Sequence, residues 1–169
     1  MDLYTGAEKA LKMDDATWMR HANPSSVWTR LFTMMPLLSL AIWSRDWIGW
    51  YALLAVAAVG VWVWYNPRAF AEPKSTDNWG SKGTFGERIF LETRKTTLPA
   101  HHVRAANVLT FLSLVGMAIW IYGLVVLDFW AVVAGIIGIG VPKAWFVDRM
   151  VWIYDEQKDT DPRYASWLR

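Results

Sequence analysis

The sequence contains no cysteine, which removes disulfides, thiolate metal ligands and cysteine nucleophiles from consideration. Charged residues are also missing from well inside its apolar stretches. The polar residues there are Thr33, Ser39, Thr110 and Ser113. Ion-coupled transport relies on ionisable groups within the membrane, and haem ligation there needs a deep histidine. The composition therefore argues against a proton pump, a monomeric secondary transporter and an intramembrane haem protein.

Familiar nucleotide-binding motifs are missing too. Gly80, Gly83 and Gly86 surround Lys82, but neither the Gly-Lys-Ser/Thr order nor a preceding strand accompanies them. We expect these glycines to form turns in an irregular loop, followed by a short surface helix at residues 87–91. The first 30 residues lack an early apolar core, so we expect no cleavable signal and an uncleaved anchor in the first apolar helix.

Four apolar stretches occupy residues 31–43, 47–65, 108–127 and 129–141. A bilayer core needs about 20 helical residues, and two of the stretches are shorter. Asn23 as N-cap and Pro24 at the first helical position extend the first, and the apolar pattern continues beyond Pro142 in the last. The sequence thus predicts an all-α membrane protein of one domain, residues 1–169, rather than a monotopic or soluble form. The predicted transmembrane helices cover about residues 24–43, 47–65, 106–123 and 128–147.

The basic residues predict the topology. Of the 17 lysines and arginines, all except Arg45 lie on one side of these stretches. The positive-inside rule therefore places both termini and a long central loop, residues 66–105, in the cytoplasm, with the helices in two hairpins of a multi-pass cell-membrane protein. We expect Asp46 and Asp128 to cap the second and fourth helices, and Asn66-Pro67 to end the second.

Small and aromatic residues predict how the helices pack. Nine of the thirteen tryptophans lie near the predicted span ends, which favours an aromatic belt at the lipid interface over a tryptophan-lined ligand cage. One face of the fourth helix carries the small residues Ala131, Ala134, Gly135 and Gly138, and the third helix carries a line that includes Gly116 and Gly123. Such faces let backbones approach closely, so they indicate either the interior seam of the bundle or a homodimer contact.

Candidate binding residues all fall on the predicted cytoplasmic side. His21, His101, His102 and Asp148 lie at one membrane depth, and such a set suits zinc, iron, manganese or a general base. Their spacing matches no metal motif, so hydrogen bonds from interfacial histidines to backbone or headgroups are the alternative. Candidates for binding anionic headgroups are Arg20, Arg30, Arg68, Arg104, Asp148 and Arg149.

Five blocks carry a family resemblance. They are residues 21–30 (HANPSSVWTR), 66–68 (NPR), 75–79 (STDNW), 99–102 (PAHH) and 145–152 (WFVDRMVW). In this order they resemble an uncharacterised family of small four-span bacterial and archaeal integral membrane proteins. The resemblance implies an integral membrane protein and supplies no activity, substrate or catalytic residue.

These features favour a non-enzymatic accessory or lipid-binding component that acts at its cytoplasmic interface. Its expected partners are membrane lipids with anionic headgroups, together with a second copy of the chain or a partner membrane protein. Nucleic acid is excluded, because the basic residues are nearly balanced by acidic ones. The alternatives are an interfacial enzyme or metal protein that uses His21, His102 and Asp148, and an oligomeric channel built on the Gly138 face.

Overall fold

The computed structural model of the protein describes residues 14–169, and the regular elements in this part of the chain are helices. They are α1 (Asp15–His21), α2 (Pro24–Trp43), α3 (Arg45–Ile48), α4 (Ala52–Ala69), α5 (Trp79–Thr93), α6 (Ala100–Val126), α7 (Phe129–Gln157) and α8 (Pro162–Ala165), with a 3-10 turn, Gly49–Tyr51, before α4. Lys9 and Lys12, which belong to the predicted charge asymmetry, lie outside the described residues.

Three segments of the described chain are long and apolar enough to cross a membrane. They are Pro24–Ala69, which runs from α2 through α4, Ala100–Val126 and Phe129–Gln157. Large apolar side chains remain uncovered along them, among them Trp50, which is 86% exposed, and Trp130, which is 76% exposed. Exposed apolar surface of this extent is typical of a site of contact with lipid or with another protein. The expectation of an all-helical protein is confirmed for the described residues, and three segments are candidates for crossing a membrane.

Helices α6 and α7 pack closely because glycine removes the side chain at their contact points. A Cβ on Gly116 would overlap the backbone of Gly138, and one on Gly135 would overlap the backbone of Trp120. Gly123 lies in the same way against Ala131. The predicted small-residue faces therefore meet within one chain at these positions, whereas Ala134 is exposed.

Helix α5 packs along the last turns of α7 and replaces the irregular loop expected around residues 80–86. Gly83 lies against Val147, and a Cβ on Gly86 would overlap the carbonyl group of Met150. The expectation of turn glycines was wrong, because a spacing of three residues also places glycines along one helix face, where they permit close packing. The helix begins at Trp79 and not at residue 87.

A buried core lies where α1, α5, residues 143–157 of α7 and α8 meet, and we name this part of the molecule the basic end. Phe85, Phe90, Met150 and Tyr154 are each at most 1% exposed there. Trp167, from the turn after α8, packs its ring 5.4 Å from that of Phe85. The segment between the second and third predicted spans is therefore a folded cover, not a simple connector.

The helix ends show which of the predicted caps and helix boundaries are correct. The side chains of Asn23 and Asp128 cap α2 and α7 as expected. Asp46 does not cap α4, because it lies inside α3, and the N-cap of α4 is Tyr51 without a side-chain bond. Pro67 does not end α4, which continues to Ala69. The bias of the residue before proline against the helical region is a preference and not a prohibition, so α4 continues past Asn66.

Candidate functional site

A cavity of about 320 Å³ lies where α2, α4, α5 and α7 approach one another at the basic end. Its apolar wall comes mainly from α2, where Val27, Leu31, Met34 and Leu38 recur at helical spacing on one face. Polar groups gather at one end of this wall, and Arg30 is the α2 residue among them. Concave, mostly apolar sites with a few converging polar groups are the usual form of ligand pockets.

Arg30 is held by an unusual partner. Its Nη1 lies 2.8 Å from Nε2 of His21. A guanidinium only donates hydrogen bonds, so His21 must accept this one with a lone pair on Nε2. Within residues 14–169 the structure gives Arg30 no carboxylate at ion-pair distance. The cation therefore lines the cavity without a carboxylate in direct contact, and the negative charge of Glu87 acts on it from beyond ion-pair distance.

His21 is fixed in one tautomer by a chain of buried hydrogen bonds. The hydroxyl of Ser26 donates to Oδ1 of Asn66 at 3.1 Å, so this hydroxyl accepts from Nδ1 of His21 at 3.0 Å. Nδ2 of Asn66 then donates to Thr29 at 2.9 Å, and Thr29 donates to the carbonyl of Ser25 at 2.7 Å. Each group in this chain is satisfied, and His21 carries its hydrogen on Nδ1.

The protonation state of His21 follows from the same surroundings. The side chain is 7% exposed. Burial, and after it the positive charges of Arg30 and Lys143, hold the pKa of His21 well below its ordinary value of 6.5. A neutral imidazole accepts the hydrogen bond from Arg30, whereas an imidazolium would have no lone pair to offer. Geometry and electrostatics therefore agree on a neutral His21.

Two further charged side chains line the cavity. Nζ of Lys143 lies 3.6 Å from Oε1 of Glu87, so this pair joins α7 to α5 beside the cavity. Lys143 is 47% exposed, which makes the pair a weak one. With Arg30 also in the lining and His21 neutral, positive charge exceeds negative by one. The polar end of the cavity is suited to an anion.

The other predicted headgroup residues are distributed around the basic end. Asp148 accepts a hydrogen bond from the indole of Trp79 at 3.1 Å, and Arg149 stacks over Trp152. Arg68 stacks over the ring of Trp64 at 4.5 Å. Arg104 lines a shallow groove of about 480 Å³ together with Arg94 and Lys95, and Arg20 is exposed. Among the described residues, only Arg30 of the predicted set lines the 320 Å³ cavity.

The structure separates the three histidines into two places. His21 belongs to the Arg30 cavity, whereas the rings of His101 and His102 lie at the start of α6, tilted against each other with their centroids 4.1 Å apart. Nε2 of His102 lies 2.8 Å from Oε2 of Glu156, and Nδ1 of His102 is buried without a hydrogen-bond partner in the described chain. Asp148 does not join either place; its described hydrogen bond is the one from Trp79.

Two residues that build the site were not identified from the sequence: Asn66, which lies in the hydrogen-bond chain beside the cavity, and Glu87, which lines it. Asn66 was read only as part of an Asn-Pro helix end, and Glu87 only as part of a surface helix. A buried asparagine is costly without partners, but its burial is not visible in a pattern of neighbours. The one available signal was the pairing of blocks 21–30 and 66–68, which together supply the whole hydrogen-bond chain from Arg30 to Thr29.

Comparison with known proteins gives a family and no activity. No curated protein and no solved structure matches the chain. A family model described as a family of unknown function (DUF6653) matches residues 4–167, which is nearly the whole chain. The chain therefore belongs to the DUF6653 family of unknown function.

Proposed function

We propose that the protein is a non-enzymatic component of the cell membrane that binds an amphiphile with an anionic headgroup in the Arg30 cavity. In this proposal α2 and α4 each span the bilayer, as do α6 and α7, and both termini lie in the cytoplasm. Contacts of Asn66 with Ser26 and Thr29 bring the end of α4 to the start of α2, as a hairpin requires. The basic residues of the central segment support the orientation.

One observation carries the binding proposal. Arg30 lines a mostly apolar cavity and donates to a neutral imidazole, not to a carboxylate. A guanidinium in such a place is stabilised by a phosphate or carboxylate that accepts two parallel hydrogen bonds. His21 accepts a hydrogen bond from one edge of the guanidinium, through Nη1, without neutralising it. The arrangement thus orients Arg30 and leaves its charge for a ligand.

The apolar wall sets the shape of the rest of the ligand. From Val27 to Leu38 the cavity-lining residues of α2 extend over about 16 Å at the rise of an α-helix. The volume of 320 Å³ is near the lower end of ligand pockets, which begin at about 300 Å³. This space suits one acyl chain or a compact amphiphile better than a whole two-chain phospholipid.

Dodecyl phosphate is a suitable probe, and native mass spectrometry of the purified protein in a neutral detergent measures its binding. We expect Arg30→Ala to weaken binding by about tenfold or more, because a hydrogen bond between charged groups contributes about 1.5–3 kcal/mol. The matched control is Arg20→Ala, which removes an exposed arginine outside the cavity and should change the affinity by no more than about twofold.

Two further probes separate the contribution of the anionic headgroup to binding from that of the alkyl chain. Inorganic phosphate tests the anion alone, and dodecyl maltoside tests the chain without charge. A higher affinity for dodecyl phosphate than for inorganic phosphate or dodecyl maltoside supports an amphiphile site. Equal binding of dodecyl phosphate to the native protein and to Arg30→Ala, with both variants folded by circular dichroism, would disprove the proposal.

A further inference from the structure

Two consecutive histidines open α6, and both rings turn toward the same carboxylate. His101 is exposed, whereas His102 is 1% exposed and is fixed by its surroundings. Side chains of neighbouring helix residues point about 100° apart, so their rings meet only when the side chains bend together. Here the ring centroids are 4.1 Å apart with an interplanar angle of 39°. Glu156, from the last turns of α7, completes the group.

The donor atoms of this group are close enough to share an ion. One ring nitrogen of His101, one of His102 and one carboxylate oxygen of Glu156 all lie within 4.8 Å of one another. Bonds of 2.0–2.2 Å place the ligands of a tetrahedral zinc ion about 3.4 Å apart. The donor atoms therefore have to approach one another by at most about 1.4 Å to close the site. His101 and Glu156 are exposed and free to make them, while His102 provides the fixed ligand.

We propose that His101, His102 and Glu156 bind a divalent transition-metal ion of the zinc and cobalt class. Two imidazoles and one carboxylate form a donor set that such ions favour over calcium or magnesium, which take oxygen ligands. Three protein ligands leave a fourth position for water. The site uses no residue of the Arg30 cavity, so it stands or fails independently of amphiphile binding.

The position of the metal site also predicts a moderate affinity. Nε2 of His102 faces Glu156, so a bound ion would occupy that nitrogen and leave the hydrogen on Nδ1. Nδ1 is buried and has no acceptor in the described chain. Loss of such an outer hydrogen bond weakens metal sites by about 10–100-fold. Binding is therefore expected to be weaker than in a fully supported zinc site.

Cobalt titration tests the site directly, on full-length protein carrying an affinity tag without histidine. We expect one equivalent of Co²⁺ to give the visible absorption of a four-coordinate ion, and Zn²⁺ to remove it. His101→Ala should abolish the signal, and so should Glu156→Gln. Asp159→Asn, a change of another exposed carboxylate in the segment that follows α7, should retain it.

The outcomes distinguish the metal site from a simple His102–Glu156 ion pair. Absence of Co²⁺ and Zn²⁺ binding to the native protein overturns the proposal, and so does binding that survives His101→Ala unchanged. Because His101 is exposed, its replacement leaves the core intact, and circular dichroism checks this. Loss of binding with His101→Ala and an unchanged helix spectrum supports the site.

Discussion

His21 connects the protonation of one side chain to the geometry of the whole cavity. It accepts from Arg30 on one nitrogen and donates to Ser26 from the other. Protonation removes the acceptor and brings two positive charges together in a buried place. His21 thereby acts as a positioning residue for Arg30, and its neutral form is part of the native state.

The stability of the protein should fall when the pH is lowered through the ordinary range of histidine. In the unfolded chain His21 binds a proton near pH 6.5, whereas the lowered pKa keeps it neutral in the native state. Below about pH 6.5 the unfolded state therefore binds more protons, and acid favours unfolding by up to about 1.4 kcal/mol per pH unit. Above that pH the contribution is fully retained.

Apparent melting temperature in detergent between about pH 6.5 and pH 5, above the ordinary pKa values of carboxylates, measures this effect. His21→Gln removes the titrating group, so its melting temperature should change less over this range than that of the native protein. Identical pH profiles for the two proteins would show that His21 is not kept neutral by the fold.

At the scale of helices, glycine decides which elements come into contact. Helix α5 lies against α7 through Gly83 and Gly86, and α6 lies against α7 through Gly116 and Gly135. Helix α7 thus makes close glycine contacts along most of its length, with α6 in its apolar part and with α5 at the basic end. The tight packing fixes α5 as one wall of the cavity.

Gly86→Ala should destabilise the protein by several kcal/mol, because the added Cβ would overlap the carbonyl oxygen of Met150 and force two backbones apart. Gly140→Ala is the matched control in α7, since nothing lies within 4 Å of its Cβ. Alanine is the better helix former by about 0.5–1 kcal/mol, so this change should be neutral or stabilising. Gly86→Ala should therefore lower the melting temperature strongly, and Gly140→Ala should leave it unchanged or raise it. Similar shifts for the two variants would contradict the close contact of Gly86 with Met150.

The sequence predicted those elements that depend on neighbours along the chain. Asn23 and Asp128 cap helices because a cap acts within three residues, and apolar length revealed the membrane segments. Features that depend on distant partners were not predictable. Gly86 was taken for a turn residue because its partner Met150 is 64 residues away, and Asn66 gave no sign that it lies beside Ser26.

At the scale of the whole molecule, the concentration of basic residues sets the expected orientation. The protein has no cysteine, so single introduced cysteines can report topology without background. Asp46→Cys should react with a membrane-impermeant maleimide in intact cells, whereas Asp159→Cys should react only after permeabilisation; both positions are exposed. The opposite labelling pattern would reverse the orientation, and labelling of both in intact cells would refute the three spans, an odd number, that the proposed topology places between them.

Arg45 is the exception to the charge asymmetry, and its contacts join the two halves of the chain. Its guanidinium donates to the carbonyl of Leu124 and, at 3.2 Å, to that of Val125, where the dipole of α6 is negative. A second bond, from Trp120 to Ser39 at 2.8 Å, joins α6 to α2. These links fasten the two halves of the chain far from the basic end. The two halves of the chain should therefore stay joined at this end even where the glycine contacts of α5 with α7 are lost, as in Gly86→Ala.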